Sequence, residues 1–304
     1  MACRFAIRGK KRLMLASADT ASPAGGIIRH ARRPADWTAP GPRPKTPNRT
    51  DIWPVPGEDL CYLSGDFRIL QRVDGHRWSA DDLVTAWIAA ETVAQNPPAA
   101  IVDMGCGIGT VLLFMAWRYP AARVSGIEAQ DVSAHLARRS IAWNGVDDRC
   151  EVFHGDLRDA DFAEKIGPAD LVTGTPPYLP IGTGVESSRV QCGPCRFEFR
   201  GGVEDYALAA SRLLAPSAPF VGCCASRQRN RVFDGAARAG LVVERWRDII
   251  PREGKDALFS VYVMRKPAAV ENVRDEPPLI LRGTDGRFTP AFNDVRRAMG
   301  MPVV

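Results

Sequence analysis

Apolar and polar positions alternate in two ways along the chain, and the switch between them marks out the elements. LCYL (60–63) and FRILQRV (67–73), separated by Ser64-Gly65-Asp66, have the two-residue period of a strand pair joined by a turn. Ser79 is placed to cap a helix. Asp81 and Asp82 suit its first turn, and LVTAWIAAETVA supplies its apolar face. Beyond Asn96-Pro97-Pro98, short apolar runs alternate with helix-like stretches: AAIVDM (99–104), RVSGIE (123–128), CEVFHG (150–155), ADLVTG (169–174) and APFVGCC (218–224). Such alternation predicts parallel strands with helices on both faces. VVERWRDII (242–250) and LFSVYVMR (258–265) are joined by a short turn at Pro251–Lys255, which leaves no room for a crossover, so this pair must be antiparallel. The expected fold is α/β, with a seven-stranded, mostly parallel sheet carrying one antiparallel strand.

This pattern divides the 304 residues into four stretches: 1–50, 51–98 with the strand pair and helix, a core over 99–266, and an extension over 267–304. The extension is rich in proline and charge and closes on a possible short helix, FNDVRRAMG. The first fifty residues show no periodicity and hold eleven Lys and Arg against two acids, a net charge of +9 in a chain of +5. They read as a leader, either a transit peptide or a disordered tail. The remaining residues are therefore net acidic, so global basicity is no sign of nucleic-acid binding by the core. No apolar run has the length of a membrane span. Eight cysteines in so large a domain do not form a disulfide framework, which points to a reducing compartment, cytoplasmic or organellar according to the fate of the leader.

The chemistry is carried by residues at the ends of the predicted strands. In IVDMGCGIGT, a strand runs into Asp103 and then Gly105, Gly107 and Gly109 before an apolar helix. The spacing is G-x-G-x-G, whereas a dinucleotide site seats its pyrophosphate beneath G-x-G-x-x-G. Glu128 closes the second strand, placed for both hydroxyls of a ribose. Asp156 follows the third, placed for an adenine amino group with Leu157 beside the ring. One carboxylate at a strand end is usually a cap or a solvated turn. Three in succession point to S-adenosylmethionine (SAM), whose sulfonium and ammonium favour acids and which has no pyrophosphate to seat.

The fourth strand ends in Gly174-Thr175-Pro176-Pro177-Tyr178, which resembles the Asn/Asp/Ser-Pro-Pro-Tyr/Phe signature of methyltransferases acting on amide or aromatic-amine nitrogen. Such a nitrogen shares its lone pair with a π system. An acceptor side chain and the first proline's carbonyl must draw its two N–H groups towards sp³ geometry, while the aromatic ring stacks the base. Thr175 departs from the commoner Asn or Asp, although its hydroxyl can accept one hydrogen bond. Cys192 and Cys195 have thioredoxin-like spacing but lie in the loop after this turn, away from the helix start a redox dithiol occupies, and they lack the partners of a zinc site. No metal is expected. Arg189, Arg196 and Arg200 in the same loop could hold phosphates of a flipped-out nucleotide.

Three further stretches narrow the resemblance: GHRWSADDLVTAWIA (75–89), PREGKDALFSVYV (251–263) and DGRFTP (285–290). Together with the strand-end motifs they resemble the bacterial tRNA1(Val) adenine-N6 methyltransferases over about Leu60 to Thr289, with Trp78 for the family's Phe and Thr175 as the main departure. The resemblance implies a Rossmann-like class I methyltransferase, SAM as cofactor and adenine N6 in tRNA as target; the oligomeric state is left open, with a monomer expected. Two alternatives stay open. A protein glutamine-N5 methyltransferase uses the same Pro-Pro turn but carries Asn at the Thr175 position, and a non-catalytic RNA-binding factor could retain the fold.

Overall fold

The structure, a computed structural model, describes residues 19–30, 32–45, 49–183, 191–267 and 273–303. A small sheet comes first, in the order β1 (Thr20–Ala21), β2 (Ile27–Ile28), β3 (Glu58–Tyr62), β4 (Arg68–Arg72), and the last two form the expected antiparallel pair. Helix α1 (Ala80–Thr92) begins where Ser79 N–H donates to Asp82 Oδ2 at 3.0 Å, so an acid three residues in ties down the chain entering the helix.

The elements then alternate: β5 (Ala100–Met104), α2 (Thr110–Arg118), β6 (Arg123–Glu128), α3 (Asp131–Trp143), β7 (Cys150–His154), α4 (Asp161–Ile166), β8 (Leu171–Gly174), α5 (Cys192–Arg196), α6 (Val203–Leu213), β9 (Phe220–Ala225), α7 (Arg229–Arg238), β10 (Val242–Ile250), β11 (Phe259–Arg265), β12 (Arg274–Ile280) and α8 (Pro290–Ala298). The main sheet has the order β12-β10-β11-β9-β8-β5-β6-β7, with β11 running against both neighbours. Its central strands are mostly apolar because both faces are covered, and buried polar residues such as Asp103 and Thr173 are bonded to each other. One apolar cluster lies between the sheet and α1, α2, α3 and α8, the other between the sheet and α4, α6 and α7.

Two expectations need correction. The sheet has eight strands, because residues 274–280 of the extension pair in parallel with β10. Pro277 and Pro278 hid this strand; they fall where the register shifts at a sheet edge, the one place in a sheet where prolines are tolerated. The second correction concerns the supposed leader, whose described part is folded. Gly26 N–H donates to Pro54 O at 2.9 Å and Arg29 N–H to Leu60 O at 3.0 Å. Arg29 also pairs with the fully buried Asp59 at 2.9 Å, and Arg33 with Asp66 at 3.0 Å. Two-residue strands are too short to show a period, and the basic charge that looked foreign to the core is partly spent on its acids. Residues 1–18 lie outside the described residues.

Further along this segment, Gly41 packs on the Trp117 indole of α2. A methyl carbon at Gly41 or at Gly300 would come within 2.5 Å of that ring, and one at Gly65 would strike it at 2.6 Å. Gly65 N–H donates to Gly300 O at 2.8 Å, so three glycines, from the early segment, the β3–β4 hairpin and the turn after α8, enclose one side chain.

Candidate functional site

A cavity of about 730 Å³ opens at the carboxyl ends of β5, β6, β7 and β8, where open α/β sheets bind ligands. Gly105 and Gly107 line it, and at Gly107 (φ +56°) the place of a side chain is open space. Gly109 lies behind the loop, where it starts α2 in a left-handed conformation (φ +87°) and packs on Ala137. A glycine there has no side chain to satisfy the free N–H groups of the first helical turn. Asp103 does so instead.

That assignment moves Asp103 out of the pocket. Its Oδ2 accepts from Leu112 N–H at 3.0 Å and its Oδ1 from the Thr173 hydroxyl at 2.8 Å, and the residue is 2 % exposed. Burial, outweighing those two hydrogen bonds, pushes its carboxyl up to about 7. Asp103 thus fastens the start of α2 to β5 and β8 from beneath, and it is not among the residues that line the cavity.

Glu128, at the end of β6, does line the cavity. Its Oε2 accepts from Gly107 N–H at 2.9 Å and its Oε1 from Gln130 N–H at 2.7 Å. Burial raises its carboxyl, while those two backbone donors and the nearby Arg200 oppose the rise. Asp156 and Leu157 line the next stretch. The Asp156 carboxylate is held by Arg158, at 2.9 Å from Nε and 2.6 Å from Nη2, and this pairing keeps it below its ordinary range.

At the end of β8, Thr175, Pro176, Pro177 and Tyr178 all line the same cavity. The Thr175 hydroxyl makes no hydrogen bond to a described residue. Tyr178 is anchored: its hydroxyl donates to Asp81 Oδ2 at 3.0 Å and lies 3.2 Å from Cys223 Sγ, and its carbonyl accepts from Gln228 Nε2 at 3.4 Å. Burial raises the Tyr178 phenol well above its usual range, so it is a donor at neutral pH.

Several lining residues were not singled out as site residues from the sequence. Ser79, Asp81 and Asp82 reach the cavity from the first turn of α1, where helix capping explains them equally well. Tyr206 enters from α6, and Arg77 and Arg227 reach the lining from either side. Arg196 and Arg200 line it as well and, like Arg227, form no ion pair among the described residues. Arg189 lies outside the described residues. Cys195 lines the cavity beside Gln130, whereas the side chain of Cys192 lies outside the described set. Among the described residues no group of three or more His, Cys, Asp or Glu is arranged to hold a metal ion, and no helix is long and apolar enough to cross a membrane.

The lining suits SAM: room above Gly107 for a bulky nucleoside, a partly buried carboxylate beside it, and acids at Asp81, Asp82, Glu128 and Asp156 around a space for a cation. Comparison with known proteins agrees. Residues 101–177 match the model of a methyltransferase domain. The chain is 33% identical over 219 residues to the tRNA1(Val) (adenine(37)-N6)-methyltransferase of Porphyromonas gingivalis, covering 69% of this chain and 82% of that one. It is also 33% identical to the release factor glutamine methyltransferase of Chlorobaculum tepidum, but over 94 residues, 31% of this chain and 32% of that one. Among solved structures, a predicted O-methyltransferase from Agrobacterium tumefaciens aligns with a TM-score of 0.55 at 22% identity, over 74% of this chain and 99% of that one, a likeness of fold. The chain belongs to the tRNA1(Val) adenine-N6 methyltransferase family and is a SAM-dependent N-methyltransferase of the Rossmann-like class.

Proposed function

We propose that this enzyme methylates the exocyclic N6 amine of an adenine in RNA, with a tRNA as substrate. The observation that carries the proposal is the continuity of one cavity from the glycine loop to the Thr-Pro-Pro-Tyr turn, with Tyr178 secured by Asp81 at its rim. Relatives named as tRNA adenine-N6 methyltransferases support the same substrate class.

The cofactor supplies an electrophilic methyl group. In this proposal Glu128 holds the ribose hydroxyls, while Asp156 and Leu157 hold the adenine of the cofactor. Thr175 and the Pro176 carbonyl accept the two N–H groups of the target amine, which turns its lone pair out of conjugation. Tyr178 stacks the flipped base. The N–CH₃ bond forms as the S–CH₃ bond breaks, and the amine then releases one proton to water, so no strong general base is required. Arg196, Arg200 and Arg227, which form no ion pair among the described residues, supply positive charge at the cavity for backbone phosphates, a local patch on a chain whose basicity otherwise says little.

Incubation with radiolabelled SAM and separate RNA and protein fractions tests this. The proposal expects label that nuclease releases and protease does not. Label released by protease would support the glutamine-N5 alternative, and no incorporation into either fraction would support a non-catalytic binding factor.

A further inference from the structure

Between the cofactor loop and the reaction turn stands a residue that neither the motifs nor the family resemblance assigns. Tyr206 projects from the first turns of α6, a helix whose start is fixed where Gly202 N–H donates to Asp205 Oδ2 at 3.0 Å. The residue is 5 % exposed, yet it lines the cavity. Its hydroxyl makes no hydrogen bond to a described residue. Its oxygen is not one of the enclosed polar atoms left without a partner, so it opens into the cavity, where a ligand can take its hydrogen bond. Burial also keeps it protonated, so it remains a donor at neutral pH.

Two glycines exist where this ring stands. A side-chain carbon at Gly105 would strike the Tyr206 hydroxyl, and one at Gly174 would come within 2.8 Å of Cδ1 and 3.0 Å of Cε1. Gly105 follows β5 and Gly174 ends β8, and these are adjacent strands of the sheet. The ring therefore lies across the seam between them, with its oxygen on the β5 side.

Strand order gives the seam a chemical address. Asp156 follows β7, Glu128 ends β6 and Thr175 follows β8, in the order β8-β5-β6-β7. A cofactor with adenine at Asp156 and ribose at Glu128 brings its sulfur and amino-acid end over β5 and towards β8, where its methyl must meet the amine. We infer that Tyr206 is a cofactor-binding residue whose hydroxyl takes its missing partner from the amino-acid end of SAM. This rests on the adenosine placement proposed above and adds to it a contact at the opposite end of the molecule.

Titration calorimetry with two probes tests it: S-adenosylhomocysteine, and 5′-methylthioadenosine, which keeps the adenosine and sulfur but lacks the amino acid. Tyr206→Phe removes one oxygen and keeps the ring, so an unchanged melting temperature is expected. Affinity for S-adenosylhomocysteine should fall about tenfold, the scale of one lost hydrogen bond, with 5′-methylthioadenosine held within about twofold. Equal losses for both probes, or none for either, would overturn the inference. Gly174→Ala provides a second measure, since it pushes the ring aside while the ring keeps its hydroxyl. It should likewise weaken S-adenosylhomocysteine more than 5′-methylthioadenosine, and an unchanged preference would count against the seam. Neither measurement contains RNA, so neither can fail because the proposed target base is wrong. If Glu128→Ala spared both probes, the adenosine placement itself would be at fault.

Discussion

The two halves of the cavity are built by different means. The cofactor half comes mostly from one run of sequence, residues 105–157, with Tyr206 added from α6, and is stitched mainly by backbone groups. Cys106 N–H donates to Ile127 O at 3.0 Å, Gly155 N–H donates to Glu128 O at 2.9 Å, and the Glu128 carboxylate takes Gly107 N–H and Gln130 N–H. The reaction half is gathered from α1, the turn after β8, α5 and the segment after β9. Side chains hold much of it: Tyr178 to Asp81, and Gln228 to the Tyr178 carbonyl. Parallel strands fix where their ends lie, so a backbone-built half tolerates sequence change outside a few positions. A half assembled from distant segments has no such frame, and each contact there can be retuned alone. Changes in the first should act on binding or stability, and changes in the second on turnover.

The largest effect expected is one of pH. Folded Asp103 keeps its proton to about pH 7, whereas an unfolded aspartate releases it near its ordinary value of 3.8. Between those values the folded state binds more protons, so this group's contribution to stability falls as pH rises through the window, by an amount on the order of 4 kcal/mol. Asp103→Asn has no such titration, and denaturant curves at pH 5 and pH 8 should show the variant gaining on wild type at the higher pH while cofactor affinity stays within about threefold. Parallel curves together with lost affinity would return Asp103 to the pocket.

Next in size, Thr175→Val keeps the shape of the side chain and removes the acceptor. Its turnover should fall about 30- to 1,000-fold, the effect of about 2–4 kcal/mol in the transition state, while cofactor affinity persists. Thr175→Asn, with the commoner acceptor, should retain activity or improve it. A Val variant as fast as wild type would make Thr175 a spacer. Glu128→Ala should act the other way round, weakening the cofactor about 10- to 100-fold by calorimetry, as expected for hydrogen bonds to a charged group. The smallest effect is Tyr178→Phe, which cuts the tie to Asp81 and keeps the ring. A loss of about three- to tenfold in kcat with unchanged cofactor affinity is expected, and a change in affinity alone would blur the division between the halves.

What the sequence made legible follows the same division. Each run from Ala99 to Gly174 announced its strand because a strand covered on both faces is mostly apolar, with only scattered polar positions. Glu128, Asp156 and the Thr-Pro-Pro-Tyr turn then followed from their places at the strand ends. Asp103 has the type and position of a cofactor acid, and nothing in one dimension shows that a glycine cap at Gly109 would leave Leu112 N–H in need of an acceptor and draw this carboxylate beneath the loop. Asp81 was visible as a first-turn acid, although its partner Tyr178 lies 97 residues away. Tyr206 had no signal, since the two glycines that make room for it are explained separately by a loop and a strand end. Residues 274–280 and the described part of 19–45 were missed for want of periodicity, because a bulged edge strand with two prolines and strands of two residues have none.

The glycine enclosure of Trp117 bears on how the chain is made. On the ribosome, Gly41 and Gly65 emerge before the indole they cover, but Gly300 follows only after every strand of the main sheet has been synthesised. One edge of the large apolar ring on α2 is therefore covered last, so shortening the chain before Gly300 should expose the indole and shift Trp117 fluorescence to the red.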